Sequence, residues 1–164
     1  MTATILASTD APAVDLDGLG VRFLIGRERT DGRFALVEHP LAPRTLGAPM
    51  HTHTHEDEYS FVLTGTVGVR IADEEFELRP GQLVFKPRAV PHAFWNATDE
   101  PARLLEIISP GGFERFFLEL DELLARDGQP DEQAIHALMN RYGIDMDFAS
   151  GRDLAARHRL RNEF

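Results

Sequence analysis

The segment from Pro49 to Gly65 reads PMHTHTHEDEYSFVLTG, and the fold turns on it. His51 and His53 lie two positions apart, so on a β-strand both side chains point to the same side of the sheet. Glu58 opens the apolar run that follows. If it faces the same interior, so do Ser60 and Val62, while Tyr59, Phe61 and Leu63 face away. Farther along, Gly81 to Asn96 reads GQLVFKPRAVPHAFWN and puts His92, Phe94 and Asn96 on one face. Three imidazoles and one carboxylate converging inside a small barrel suit one divalent transition metal: Ni, Mn, Fe, Co or Zn. With neutral imidazoles such an ion keeps a charge of about +1, which attracts an enolate, phenolate or carboxylate.

Outward from these segments the same punctuation continues. Between Gly20 and Pro110, short runs of Val, Ile, Phe and Leu are separated by Gly, Pro and Asp turns, the pattern of an all-β sandwich or barrel. The expected strands are Val21–Gly26, Phe34–His39, Met50–His53, Tyr59–Leu63, Thr66–Ile71, Glu75–Leu78, Gln82–Lys86, His92–Asn96 and Arg103–Ile108. Turn signals stand at Asp31-Gly32, Thr64-Gly65, Ala72-Asp73 and Pro80-Gly81. After Pro110-Gly111-Gly112 the period becomes helical, with Phe113, Phe116, Phe117, Leu120 and Leu124 on one face. A second helix is expected from Asp131 as N-cap, burying Ile135, Leu138, Met139 and Tyr142 and ending at Gly143. A third is expected from Ser150, with Asp153 completing a capping box. The expected organisation is a flexible arm over 1–17, a β-barrel over 18–110, and a helical extension over 111–164 packed on the barrel or on a partner subunit.

Composition narrows the function. The 164 residues suffice for one domain with its own core. Seventeen Lys and Arg against twenty-seven Asp and Glu give a net charge of −10, which repels nucleic-acid backbones and anionic lipid. No apolar run approaches the roughly 20 residues of a membrane span, and the N-terminus lacks the pattern of a signal peptide. The absence of cysteine removes disulfides, thiolate nucleophiles and iron–sulfur ligation, so a metal site must use His, Asp, Glu, carbonyls and water. A cytoplasmic location is expected.

The two histidine-bearing segments resemble the two motifs of the cupin superfamily. The first motif is His-x-His, four residues, Glu, six residues, Gly; here it is His51-x-His53, Glu58 and Gly65. The second is Gly, five residues, Pro, a short turn, His, three residues, Asn; here it is Gly81, Pro87, His92 and Asn96. Ala89 stands where the family usually has Gly. The resemblance covers roughly residues 30 to 110, and the ending SPGGFERFF with RYGI is similar to small bacterial cupins of the quercetin-dioxygenase-like kind. It implies a double-stranded β-helix (jelly-roll) barrel, with a C-terminal α-helical extension, in which His51, His53, Glu58 and His92 ligate the metal. It also implies a quercetinase-type dioxygenase using O2 on a flavonoid or another enol- or phenol-bearing small molecule, with Glu58 as ligand or general base.

Other readings stay open. A metal-dependent isomerase, lyase or hydrolase would use the cation as a Lewis acid, and a Glu58–His92 acid–base pair is the metal-free alternative. A non-catalytic cupin that binds a small ligand is the third reading. His55 is expected to face solvent or to support the cluster, Glu56 and Asp57 to form a solvated turn, and His39, His136 and His158 to be strand-edge or helix-surface residues. Arg70 and Lys86 are expected to decorate strands, Phe94 and Val62 to pack, and the Phe-rich helix to serve core or dimer contacts. A homodimer is expected, because an open jelly roll has edges to cover and the run around Val21–Gly26 could add to a neighbour.

Overall fold

The computed structural model describes residues 5–125 and 131–161. The strands are β1 (Ala13–Leu16), β2 (Leu19–Ile25), β3 (Ala35–Leu41), β4 (Thr45–His53), β5 (Asp57–Thr64), β6 (Val67–Ile71), β7 (Glu74–Leu78), β8 (Leu83–Lys86), β9 (His92–Asn96), β10 (Ala102–Ser109) and β11 (Ile144–Asp147). They form one antiparallel sheet in the order β1-β2-β3-β10-β5-β8 and a second in the order β11-β4-β9-β6-β7. Val37, Val62 and Leu104 from the first sheet meet Val67, Val69 and Phe94 from the second in one core, giving the expected jelly roll. Alternation does the sorting. Along β5, Glu58, Ser60 and Val62 are buried while Phe61 is exposed, the phase read from the sequence.

Two strands escaped the sequence reading. Asp17 and Gly18 both take positive φ, so an Asp-Gly hairpin folds Ala13–Leu16 back onto Leu19–Arg22. Part of the stretch expected as a flexible arm is therefore β1. Because β2 pairs with both β1 and β3, the Val21–Ile25 run has no free edge to offer a neighbour; β1 and β8 end that sheet. β11, with only Ile144 and Met146 as apolar residues, pairs with β4 and sets those two opposite His53 and His51.

The helices are α1 (Glu114–Leu124), α2 (Glu132–Tyr142) and α3 (Phe148–His158). Asp131 caps α2 by accepting from Gln133 N–H, and Gly143 ends it in the left-handed region. The third helix starts ahead of its expected Ser150, because Asp147 is the cap and accepts from Ser150 N–H. Ser150 Oγ instead accepts from Met50 N–H at 2.8 Å and ties α3 to β4. Leu154 of α3 covers Leu46, Ala93 and Trp95 on the outer face of the second sheet, and His158 stacks on Trp95.

Candidate metal centre

The second sheet supplies the imidazoles and the first supplies the carboxylate. His51 and His53 come from β4, His92 lies opposite His51 on β9, and Glu58 projects from β5. All four are buried, and one ligand atom from each lies within 4.8 Å of the others. The exposed His55 stays outside this group. Glu56 is buried rather than solvated, with Oε2 3.9 Å from His53 Nδ1, and burial raises its pKa. Asp57, the other half of the expected polar turn, forms a paired contact with the Arg88 guanidinium.

Backbone carbonyls orient two of the rings. His51 Nδ1 lies 2.8 Å from Pro49 O and His92 Nδ1 3.0 Å from Val90 O, so a proton on Nδ1 leaves each Nε2 as a lone-pair donor. Burial, and then the neighbouring His92 and His53, hold the His51 pKa well below its ordinary value. Burial likewise brings His53 to about 4. Both rings are thus neutral at neutral pH, the form able to ligate a metal. For Glu58 burial opposes ionisation, but Lys86 and His53 outweigh it and hold the carboxyl well below the usual carboxylate range.

These donors fit a divalent ion. Both ring nitrogens of His53 and Nε2 of His92 are buried without a hydrogen-bond partner, an arrangement that needs a reason in a native core. His53 Nε2 lies 3.4 Å from Glu58 Oε1, and His92 Nε2 lies 3.3 Å from Oε2. Donors each about 2.1 Å from a shared ion stand roughly 3.0–3.4 Å apart at octahedral to tetrahedral angles.

Known proteins share parts of this sequence and fold. Residues 38–108 match the family model for the cupin domain. Over that stretch the chain is similar to the cupin domain. The quercetin 2,3-dioxygenase of Bacillus subtilis strain 168 is 26% identical over 103 residues, covering 62% of this chain but only 29% of that protein. The polyketide cyclase RemF from Streptomyces resistomycificus is 28% identical with a TM-score of 0.58, over 66% of this chain and 80% of that one. KdgF from Halomonas sp. superposes with a TM-score of 0.61 over 70% of this chain and 99% of that one; at 17% identity it shows the fold.

The barrel also holds groups expected elsewhere from the sequence. Lys86 is not a surface decoration: it lies opposite Glu58 in the β8–β5 register, buried, with Nζ 2.7 Å from Glu58 Oε2 and 3.2 Å from Glu106. Burial would lower its pKa, but Glu106 and Glu58 raise it. Glu106 on β10 accepts from Ser60 Oγ at 2.8 Å, and burial pushes its carboxyl up to about 7. The inward parity of Lys86 and Glu106 was the available signal. His39 is also internal, with Nδ1 3.1 Å from Gly20 O, and burial lowers its pKa to about 4.

A cavity of about 540 Å3 opens from His51, Glu58, Lys86 and Glu106. Phe94, Phe113, Phe116, Phe117, Met139 and Phe148 form much of its wall. The Phe-rich start of α1 therefore lines the cavity as well as packing. Exposed Asp15 and Asp17 stand at its mouth.

Proposed function

We propose that this chain is a metal-dependent enzyme acting on a largely apolar, enol- or phenol-bearing small molecule, with O2 as co-substrate in the manner of a quercetinase. One observation carries the reading. His51 and Glu58, two of the four clustered donors, line the polar end of a cavity whose walls are otherwise mainly aromatic and aliphatic. Its volume of about 540 Å3 lies within the roughly 300–1,000 Å3 of small-molecule sites. Acidic groups at the mouth disfavour an anionic metabolite, so the substrate enters neutral and ionises inside.

His51, His53, His92 and Glu58 would hold the cation. A bound divalent cation supplies Lewis-acid stabilisation of an oxygen anion. The phenylalanine walls orient a planar molecule and exclude water, strengthening the electrostatics at the polar end. Similarity to a quercetin dioxygenase and to a polyketide cyclase supports a polyphenol-like substrate.

The cyclase likeness favours a second reading, oxygen-independent acid–base chemistry of cyclase, isomerase or lyase type on the same substrate class. Assay of the metal-loaded protein with quercetin under air and under nitrogen separates the two. Dioxygenation predicts O2 uptake matching substrate loss and no turnover under nitrogen; conversion that continues under nitrogen overturns it. Assembly as a homodimer is part of the proposal, and light scattering that gives a monomer mass at micromolar concentration rejects it.

A further inference from the structure

Lys86 occupies an unusual place for an ammonium group. Its side chain is 1% exposed, it borders the cavity, and its Nζ lies 5.3 Å from the centre of the Phe94 ring. Two carboxylates share it, but unequally. Nζ is 2.7 Å from Glu58 Oε2 and 3.2 Å from Glu106, which already has Ser60 Oγ as a donor. Glu106 and Ser60 thus brace the lysine from behind, and the lysine holds Glu58.

We infer that Lys86 is a positioning residue: its ammonium occupies Oε2 of Glu58 and holds that carboxylate as a fixed one-oxygen donor to the cation, instead of a base that swings away to collect a proton. The inference rests on the reading that the cluster holds a divalent cation. Each oxygen of Glu58 faces one imidazole, Oε1 3.4 Å from His53 Nε2 and Oε2 3.3 Å from His92 Nε2, but Oε2 also carries the ammonium, so Oε1 is the oxygen with no competing cation. For Glu58 to leave, a short charge-assisted bond must break where the lysine has almost no access to water.

The test uses the full chain loaded with Co2+, whose visible absorption reports its coordination. Lys86→Met frees Oε2 to approach the ion as an added donor, so the bands shift and lose intensity. Lys86→Met/Glu106→Gln gives the same change without leaving a second carboxylate unpaired, and keeps the test decisive if the single variant misfolds. Glu106→Gln alone, with Lys86 still on Glu58, keeps the unmodified spectrum. A spectrum unaltered by Lys86→Met and by the double variant overturns the inference, leaving Lys86 as a counter-ion only. Failure of the unmodified chain to bind Co2+ is a distinguishable result: it overturns the underlying metal reading, and the inference with it.

Discussion

Lys86 and Glu58 face each other across β8 and β5 inside the barrel, joined by a 2.7 Å ion pair almost fully withdrawn from solvent. Removing one member of such a pair leaves a buried charge uncompensated, and this costs about 3–5 kcal/mol. Lys86→Met is therefore expected to lower unfolding free energy by about that amount in urea titration. Adding Glu106→Gln should recover part of the loss, because the second carboxylate then needs no counter-ion. Additive losses would show that Lys86 and Glu106 are not coupled.

Ala89 has φ +59°, a left-handed conformation that favours glycine, and its N–H donates to His53 O at 2.9 Å. The turn ahead of His92 is thus kept at the cost of strain on a Cβ. Left-handed backbone costs an L-residue roughly 1–2 kcal/mol, and glycine gives back about 0.5–1 kcal/mol in unfolded-state entropy. Ala89→Gly should therefore raise stability by about 0.5 kcal/mol, read from the denaturation midpoint, with metal content unchanged. A lower midpoint would mean that the turn carries no such strain.

His39 gives the acid response a definite sign. The unfolded chain takes up its proton near the ordinary value of 6.5, whereas burial delays uptake in the folded chain to about 4. Between those values the unfolded state binds more protons, so stability is intact above pH 6.5 and falls as pH drops toward 4. The loss attributable to this residue approaches about 3 kcal/mol. Thermal unfolding of His39→Leu across that window should fall less steeply than that of the unmodified chain. Parallel slopes would contradict the buried, neutral state of His39.

What was legible in the sequence follows from the period of the chain. Alternation in β5 places Glu58 and Ser60 inward; β9 is buried on both faces, and there the period of two puts His92 and Phe94 on one side. β1 and β11 were harder, because AVDL and IDMD each carry only two strongly apolar residues and draw their order from a hairpin and from pairing with β4. Lys86 was misread because lysine normally stays in water; only the partners on β5 and β10, distant in sequence, stabilise it inside. His39 was misread for a similar reason, since the helix that covers it with Phe117 lies far along the chain. The cavity was not legible at all, because its walls join strands from both sheets to the helices.

The most direct measurement is elemental analysis of the freshly purified chain, repeated after incubation with each of Ni2+, Mn2+, Fe2+, Co2+ and Zn2+ followed by desalting. Closure of His51, His53, Glu58 and His92 around one cation predicts close to one equivalent of a transition ion per chain, and its loss in His53→Ala. A chain that emerges metal-free from every incubation, or a His53→Ala variant that retains the full equivalent, would contradict it.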